Sequence, residues 1–134
     1  MKKDENCIFC KIVSGAIPST KVYEDETCFA FLDIHPVAKG HVLLVPKEHI
    51  VWMQEATDET IADMFVKTKK LMVSMIHGLG CDYVQIGIVG KDVPHFHVHL
   101  IPRRLEEAHA PTPTLSYNAG EEEIFADKIK ASIL

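Results

Sequence analysis

His95-Phe96-His97-Val98-His99, running on into Leu100 and Ile101, is the stretch that decides the fold. Histidine alternates with a large apolar residue at period two, the pattern of a half-buried β-strand. Successive strand side chains point to opposite faces, so three imidazoles share one side, and Phe96, Val98 and Leu100 share the other. Residues two apart lie roughly 6.5–7 Å from each other along a strand. Three groups that change charge near neutrality therefore stand in one row. As plain structure such a row costs stability, because neighbouring cations repel. It suits attack on a phosphorus centre, or metal ligation through His-x-His. A third reading, ordinary solvent-facing histidines, fits strict alternation poorly.

Outward from this strand, His41-Val42-Leu43-Leu44-Val45 is a near-continuous apolar run that stops at Pro46, which predicts a central strand. Lys21–Asp25 and Thr27–Asp33 read as two strands around a tight Asp25-Glu26 turn, with Phe29 and Phe31 on one face. Tyr83–Val89 reads as another strand, and His95–Pro102 as the one bearing the histidines. Asp58 to about Gly80 is the clearest helix. Ile61, Met64, Phe65, Thr68, Met72, Met75, Ile76 and Leu79 recur at three- and four-residue spacing, with Thr57 or Asp58 to cap the start and Gly78 or Gly80 the end. The Met-rich stripe reads as core. Residues 8–14 predict one or two helical turns, Arg103–Gly120 a loop or arm, and Glu121–Leu134 an amphipathic helix with Ile124, Phe125, Ile129 and Ile133 apolar. Strands joined by short loops, with one long helix between them, give an α+β fold on an antiparallel sheet. The 134 residues are expected to form one domain, with 102–134 as its C-terminal arm and helix.

Composition is that of a globular protein, 47% hydrophobic and 25% charged. A net charge of −5 argues against a broad surface for nucleic acid or anionic membrane, so an anionic ligand needs a local site. Met1-Lys2-Lys3-Asp4-Glu5-Asn6 leads into no apolar segment of the secretory kind, and no run approaches the roughly 20 apolar residues of a membrane span. These features predict a cytoplasmic protein with reduced thiols. Cys28 and Cys81 sit in apolar segments and read as small core residues. Cys7 and Cys10 differ, because Cys-x-x-Cys is a metal or redox spacing, and the βαβ context of a thioredoxin-like dithiol is missing here.

The triple histidine, taken with Gly40-His41-Val42-Leu43-Leu44-Val45-Pro46-Lys47-x-His49, resembles the histidine triad superfamily of nucleotide hydrolases and transferases. The resemblance runs from about Cys7 to Arg103, and Cys7-Ile8-Phe9-Cys10-Lys11-Ile12 is similar to the start of its zinc-containing bacterial branch. It implies a five-stranded antiparallel sheet with helices, and a homodimer that joins two sheets. It implies that His97 attacks the α-phosphate of a nucleotide to give a nucleotidyl-imidazole, and that His99 and His41 contact the phosphate oxygens. Independent chemistry agrees. Neutral imidazole is abundant at pH 7, and a covalent phosphoramidate divides one hard displacement into two. The attacking ring must keep its other nitrogen protonated, which a backbone carbonyl commonly ensures. Asp33 matches the position that accepts the ribose hydroxyls, its alternative being a strand-end turn cap. The base, a purine by resemblance, then lies in an apolar slot of Ile8, Phe9 and Ile34, and Gly90 offers close backbone approach to a phosphate.

The same resemblance, shared with the galactose-1-phosphate uridylyltransferases, makes Cys7, Cys10, His49 and His95 the ligands of a structural zinc ion. Two thiolates and two imidazoles form a closed tetrahedral set. His95 is then fixed by metal two residues before His97, tying the amino terminus to the catalytic strand. The chain departs from the family pattern at Val89-Gly90-Lys91-Asp92-Val93-Pro94, which has Asp92 where members carry Ser or Thr. Two rival functions follow. One is a zinc hydrolase in which His95, His97 and His99 hold a catalytic metal with an open water position. The other is a nucleotide-binding module that has lost turnover. His35, His77 and His109 have no motif support.

Overall fold

The computed structural model describes residues 1–107 and 114–133, so His109, Pro111, Pro113 and Leu134 lie outside the described residues. The elements are helix α1 (Ile8–Ser14), strands β1 (Lys21–Glu24), β2 (Cys28–Leu32) and β3 (Val42–Pro46), helix α2 (Asp58–Leu79), strands β4 (Tyr83–Gly87) and β5 (Val98–Arg103), and helix α3 (Glu121–Lys130). The strands form one five-stranded sheet in the order β1-β2-β3-β5-β4, with every pairing antiparallel.

Period-two alternation in β2 and β3 divides the interior in two. Ala30, Leu32, Val42 and Leu44 join Val98, Leu100, Met64, Leu71 and Met75 on one side, with α2 and α3 packed there. Phe29, Phe31, Leu43 and Val45 face the other way and are covered by Cys7, Phe9 and Ile12 of the α1 segment. Phe96, Val98 and Leu100 belong to the α2 side. The histidines therefore point to the α1 side, where His99 stands opposite Leu43.

Helix α2 forms as its spacing predicts. Thr57 caps the start by accepting from the Thr60 N–H at 3.1 Å, and Gly80 ends it in the left-handed conformation at φ 70°. The methionine stripe is core, with Met64 and Met75 fully buried.

Several boundaries differ from the sequence reading. The last strand begins at Val98, not His95. The reason is a change of partner: the Phe96 N–H donates to Ile50 O at 2.6 Å and the His95 N–H to Val93 O at 2.8 Å, outside the ladder. The chain stays extended there, so the alternation of faces survives. Strand β3 includes Pro46, paired with Cys28, at its end where a missing N–H costs nothing to the ladder. β4 stops at Gly87, and the β1–β2 turn takes in Thr27, whose N–H donates to Asp25 Oδ1 at 2.9 Å. α3 ends at Lys130, and Ile124 faces solvent, leaving Ala126 and Ile129 as its buried anchors.

The segment before α3 straps the β2–β3 loop. The Gly40 N–H donates to the Tyr117 hydroxyl at 2.9 Å, and the Leu115 N–H to Pro36 O at 2.7 Å. Gly40 has φ +98°, and a side chain there would collide with Leu79. Among the described residues, no helix is long and apolar enough to cross a membrane.

Candidate active site and metal centre

Three histidines on one face meet three different partners. At the deep end, His95 is fully buried. Its Nε2–H donates to Pro46 O at 2.8 Å, which directs Nδ1 toward Cys7 Sγ at 3.3 Å and Cys10 Sγ at 3.6 Å. His49 Nδ1 lies 3.4 Å from Cys10 Sγ. Cys7 caps α1 and accepts from the Cys10 N–H at 3.4 Å, so one helical turn places both sulfurs together. The four ligand atoms lie within 4.8 Å of one another. Zinc–sulfur and zinc–nitrogen bonds of about 2.3 and 2.0 Å at a tetrahedral angle separate sulfur from nitrogen by about 3.5 Å. The observed spacings fit that figure. Burial, with Cys7 beside it, pushes the Cys10 thiol up, a tension that a bound cation relieves by stabilising thiolate. The Pro46 carbonyl completes the outer layer by fixing the His95 tautomer.

At the centre, His97 donates its Nδ1–H to the backbone oxygen of His95 at 2.7 Å. In the neutral ring that bond leaves Nε2 with its lone pair. The ring is 4% exposed, flanked by Phe9 at 5.0 Å and by His99 at 4.9 Å between centroids.

At the rim, a chain of hydrogen bonds sets two tautomers. The Val37 N–H donates to His41 Nδ1 at 3.2 Å, so the proton of His41 sits on Nε2. That Nε2–H donates to His99 Nδ1 at 2.9 Å, which places the proton of His99 on its own Nε2. His99 therefore presents a donor beside the lone pair of His97. Burial holds both rings neutral: it pushes His41 down to about 4, and it lowers His99 as well, with His97 adding to the effect and Asp33 and Asp92 opposing it. Asp33 Oδ2 stands 3.8 Å from His41 Nε2, while its Oδ1 caps the turn by accepting from the His35 N–H at 2.9 Å. One carboxylate thus has both the cap of the structural reading and an oxygen turned to the site.

The remaining candidates are spread around this row. Phe9 is buried against His97 and His95, whereas Ile8 and Ile34 are exposed. Gly90 has φ +75° and lies against Trp52, whose ring a side chain at that position would meet at 3.1 Å. His35 and His77 are exposed. The sequence reading missed Pro46 O, the Val37 N–H and Trp52. Of these only Pro46 carried a signal, as a proline ending a strand. The three triad rings do not converge on a common point: one faces the cysteines, one its own backbone, one His41.

This is an α+β scaffold whose sheet carries a buried thiol–imidazole donor set next to an imidazole with an unprotonated nitrogen. The HIT domain family model matches residues 14–106, and the chain belongs to that family. It is 44% identical over 108 residues to "Protein hit" of Bacillus subtilis, covering 74% of this chain and 72% of that protein. It is 42% identical over 123 residues to an adenosine 5'-monophosphoramidase of Schizosaccharomyces pombe, covering 90% of this chain and 92% of that protein. Among solved structures, a zinc-bound histidine triad family protein from Mycobacterium smegmatis superposes with a TM-score of 0.84 at 31% identity, covering 95% of this chain and 92% of that one.

Proposed function

We propose that the protein is a nucleotide hydrolase or transferase that cleaves nucleoside 5'-monophosphate derivatives (phosphoramidates, phosphoanhydrides or dinucleoside polyphosphates) through a covalent adduct on His97. The observation that carries this reading is the bond from His97 Nδ1–H to His95 O, which aims an unprotonated Nε2 outward. In the first step Nε2 bonds to the α-phosphorus and the bond from phosphorus to the leaving group breaks, the leaving group taking the electron pair and a proton from solvent. In the second, water attacks the same phosphorus and the P–Nε2 bond breaks, releasing the nucleoside monophosphate. The His99 Nε2–H donates to a phosphate oxygen, with His41 behind it fixing the donor. Asp33 accepts from the ribose diol, Ile8 and Ile34 border the purine with Phe9 beneath, and Gly90 turns the main chain toward the phosphate. The adenosine 5'-monophosphoramidase activity of the S. pombe relative supports an adenosine nucleotide as substrate.

Cys7, Cys10, His49 and His95 hold a structural zinc ion in this reading. Zinc there supplies a cross-link between the amino terminus and the triad segment, with all four positions filled by protein. Residues 1–134 act as one domain, with 102–134 as arm and helix. A cytoplasmic location is supported by Cys28 and Cys81, buried as free thiols outside the metal set. A homodimer is supported by β4 lying at the sheet edge and by exposed Val66 and Val73 on α2.

The test is turnover of adenosine 5'-phosphoramidate by the wild type and by His97→Ala. Turnover by the wild type, with loss of at least about 1000-fold in the variant, is expected. Retained turnover in His97→Ala contradicts the assignment. A second reading, binding without turnover, is favoured by the Asp92 carboxylate acting on His99; an inactive wild type that binds nucleotide supports it.

A further inference from the structure

Phe9 lies between Ile8 and Cys10 in α1, inside the Cys-x-x-Cys segment, and its ring is turned away from solvent. It meets three rings edge to face: His97 at 5.0 Å and 87°, Phe31 at 5.5 Å and 71°, and His95 at 5.9 Å and 69°. Perpendicular rings at these separations are in the favourable quadrupolar arrangement.

The consequence concerns how His97 is aimed. Rotation of an imidazole about its last torsion is broad and roughly two-fold, so packing and hydrogen bonds must choose the orientation. A half-turn would exchange Nδ1 for a carbon at the His95 carbonyl and move Nε2 off the line of attack. Two contacts fix the ring. The 2.7 Å bond to His95 O sets which nitrogen faces inward, and the Phe9 ring, at 87° to the imidazole, holds its plane. Both belong to the donor set's own segments. The carbonyl belongs to His95, whose ring is held between the cysteines and Pro46 O. The Phe9 ring is carried by the turn that joins Cys7 to Cys10.

We infer that Phe9 is a positioning residue for the His97 ring, and that metal loading of Cys7, Cys10, His49 and His95 fixes both halves of a clamp on that ring, the Phe9 edge and the His95 carbonyl. The inference rests on the reading of His97 as nucleophile, and it gives the metal centre a role in aiming the reacting nitrogen.

The experiment uses full-length, zinc-loaded protein labelled with 15N-histidine, as wild type and as Phe9→Leu. Leucine keeps apolar bulk in the core without the ring edge, and all four metal ligands stay in place. In wild type, long-range 1H–15N spectra are expected to show His97 as a single Nδ1–H tautomer. Phe9→Leu is expected to retain its zinc, to move the His97 nitrogens toward averaged shifts, and to lower kcat about tenfold, beyond any change in KM that comes from its place beneath the base. Removing zinc by chelation is expected to average the same two shifts while the backbone spectrum stays dispersed. A zinc-free protein that unfolds, or that stays folded with wild-type His97 shifts, overturns the metal's part in the clamp, and the loaded Phe9→Leu comparison then decides the part of Phe9. A variant with wild-type His97 shifts and kcat overturns the inference. A change in KM with kcat and the His97 shifts untouched also overturns it, and leaves Phe9 as a wall of the base slot alone. Turnover that survives His97→Ala marks the failure of the nucleophile assignment instead, since Phe9→Leu and zinc removal do not touch that result.

Discussion

The two ends of the histidine row differ although one short segment carries both. At His95 both ring nitrogens have partners, the donors sit between the sheet and α1, and the ring is fully buried. At His99, four residues on, one nitrogen is bound to His41 and the other is free at a half-open rim beside two carboxylates, Asp33 and Asp92. The closed end has the properties of a cross-link and the open end those of a reagent. His97 lies between them, buried like the first and with a free nitrogen like the second. The free nitrogen of His97 is held in place through its own ring, whose other nitrogen is bonded to the backbone oxygen of the fully partnered His95.

The largest effect is expected at the closed end. Under the proposed zinc set, His95→Ala removes a ligand and leaves two thiols facing a cavity, and a loss of about 4 kcal/mol is expected, lowering Tm by roughly 10–15 °C. Differential scanning calorimetry of zinc-loaded protein measures it, and an unchanged Tm would erase the contrast. Cys7→Ser keeps the chain's polarity there, with a smaller fall in Tm and kcat reduced by no more than about tenfold; abolished turnover would instead favour a catalytic metal.

At the open end the order reverses. His99→Ala is expected to leave Tm within a few degrees and to lower kcat about 100-fold, the cost of losing one donor to a developing phosphate charge. Steady-state kinetics beside a melting curve separates the two ends directly.

A pH titration sharpens the comparison. His41, held at about 4 by burial, is neutral in both folded and unfolded chains at high pH. As pH falls below the ordinary value of about 6.5, the unfolded chain takes up a proton that the folded ring refuses, so stability is lost between about 6.5 and 4. His99, lowered in the same direction, adds to the loss. Urea unfolding at stepped pH should show a decline of order 2–3 kcal/mol across that window, and a flat profile would contradict neutral burial of the pair. The smallest effect is Asp33→Asn, which should weaken binding of a nucleoside 5'-monophosphate about tenfold while leaving its 2',3'-dideoxy counterpart nearly unaffected. Calorimetric titration of both nucleotides provides the check.

The closed end was more legible in sequence than the open one, for a physical reason. Cys-x-x-Cys across one helical turn is a local constraint, and His95 in an alternating run has its face fixed by Phe96 and Val98. The sheet, α2 and its caps were legible on the same grounds, since period and caps are local. The tautomers at the rim depend on loop closure, with the Val37 N–H meeting His41 in the Pro36–Gly40 turn, to which Leu115 and Tyr117 of the distant arm also bond. The bond from Phe96 N–H to Ile50 O that displaces the strand start has no sequence mark either. Phe9 shows the same limit at one residue: an apolar ring beside a cysteine reads equally as core or as a nucleotide wall, and only its contacts with His95 and His97 separate the two.

Covalent chemistry at His97 is tested by mixing the enzyme with a nucleotide substrate radiolabelled at the α-phosphate, quenching within the first turnover under alkaline conditions that spare a phosphoramidate, and mapping the label by peptide mass spectrometry. One nucleoside monophosphate is expected on the peptide containing His97 and on that ring alone. Label on His99 or His41, or product formation with no labelled protein at any quench time, would contradict it.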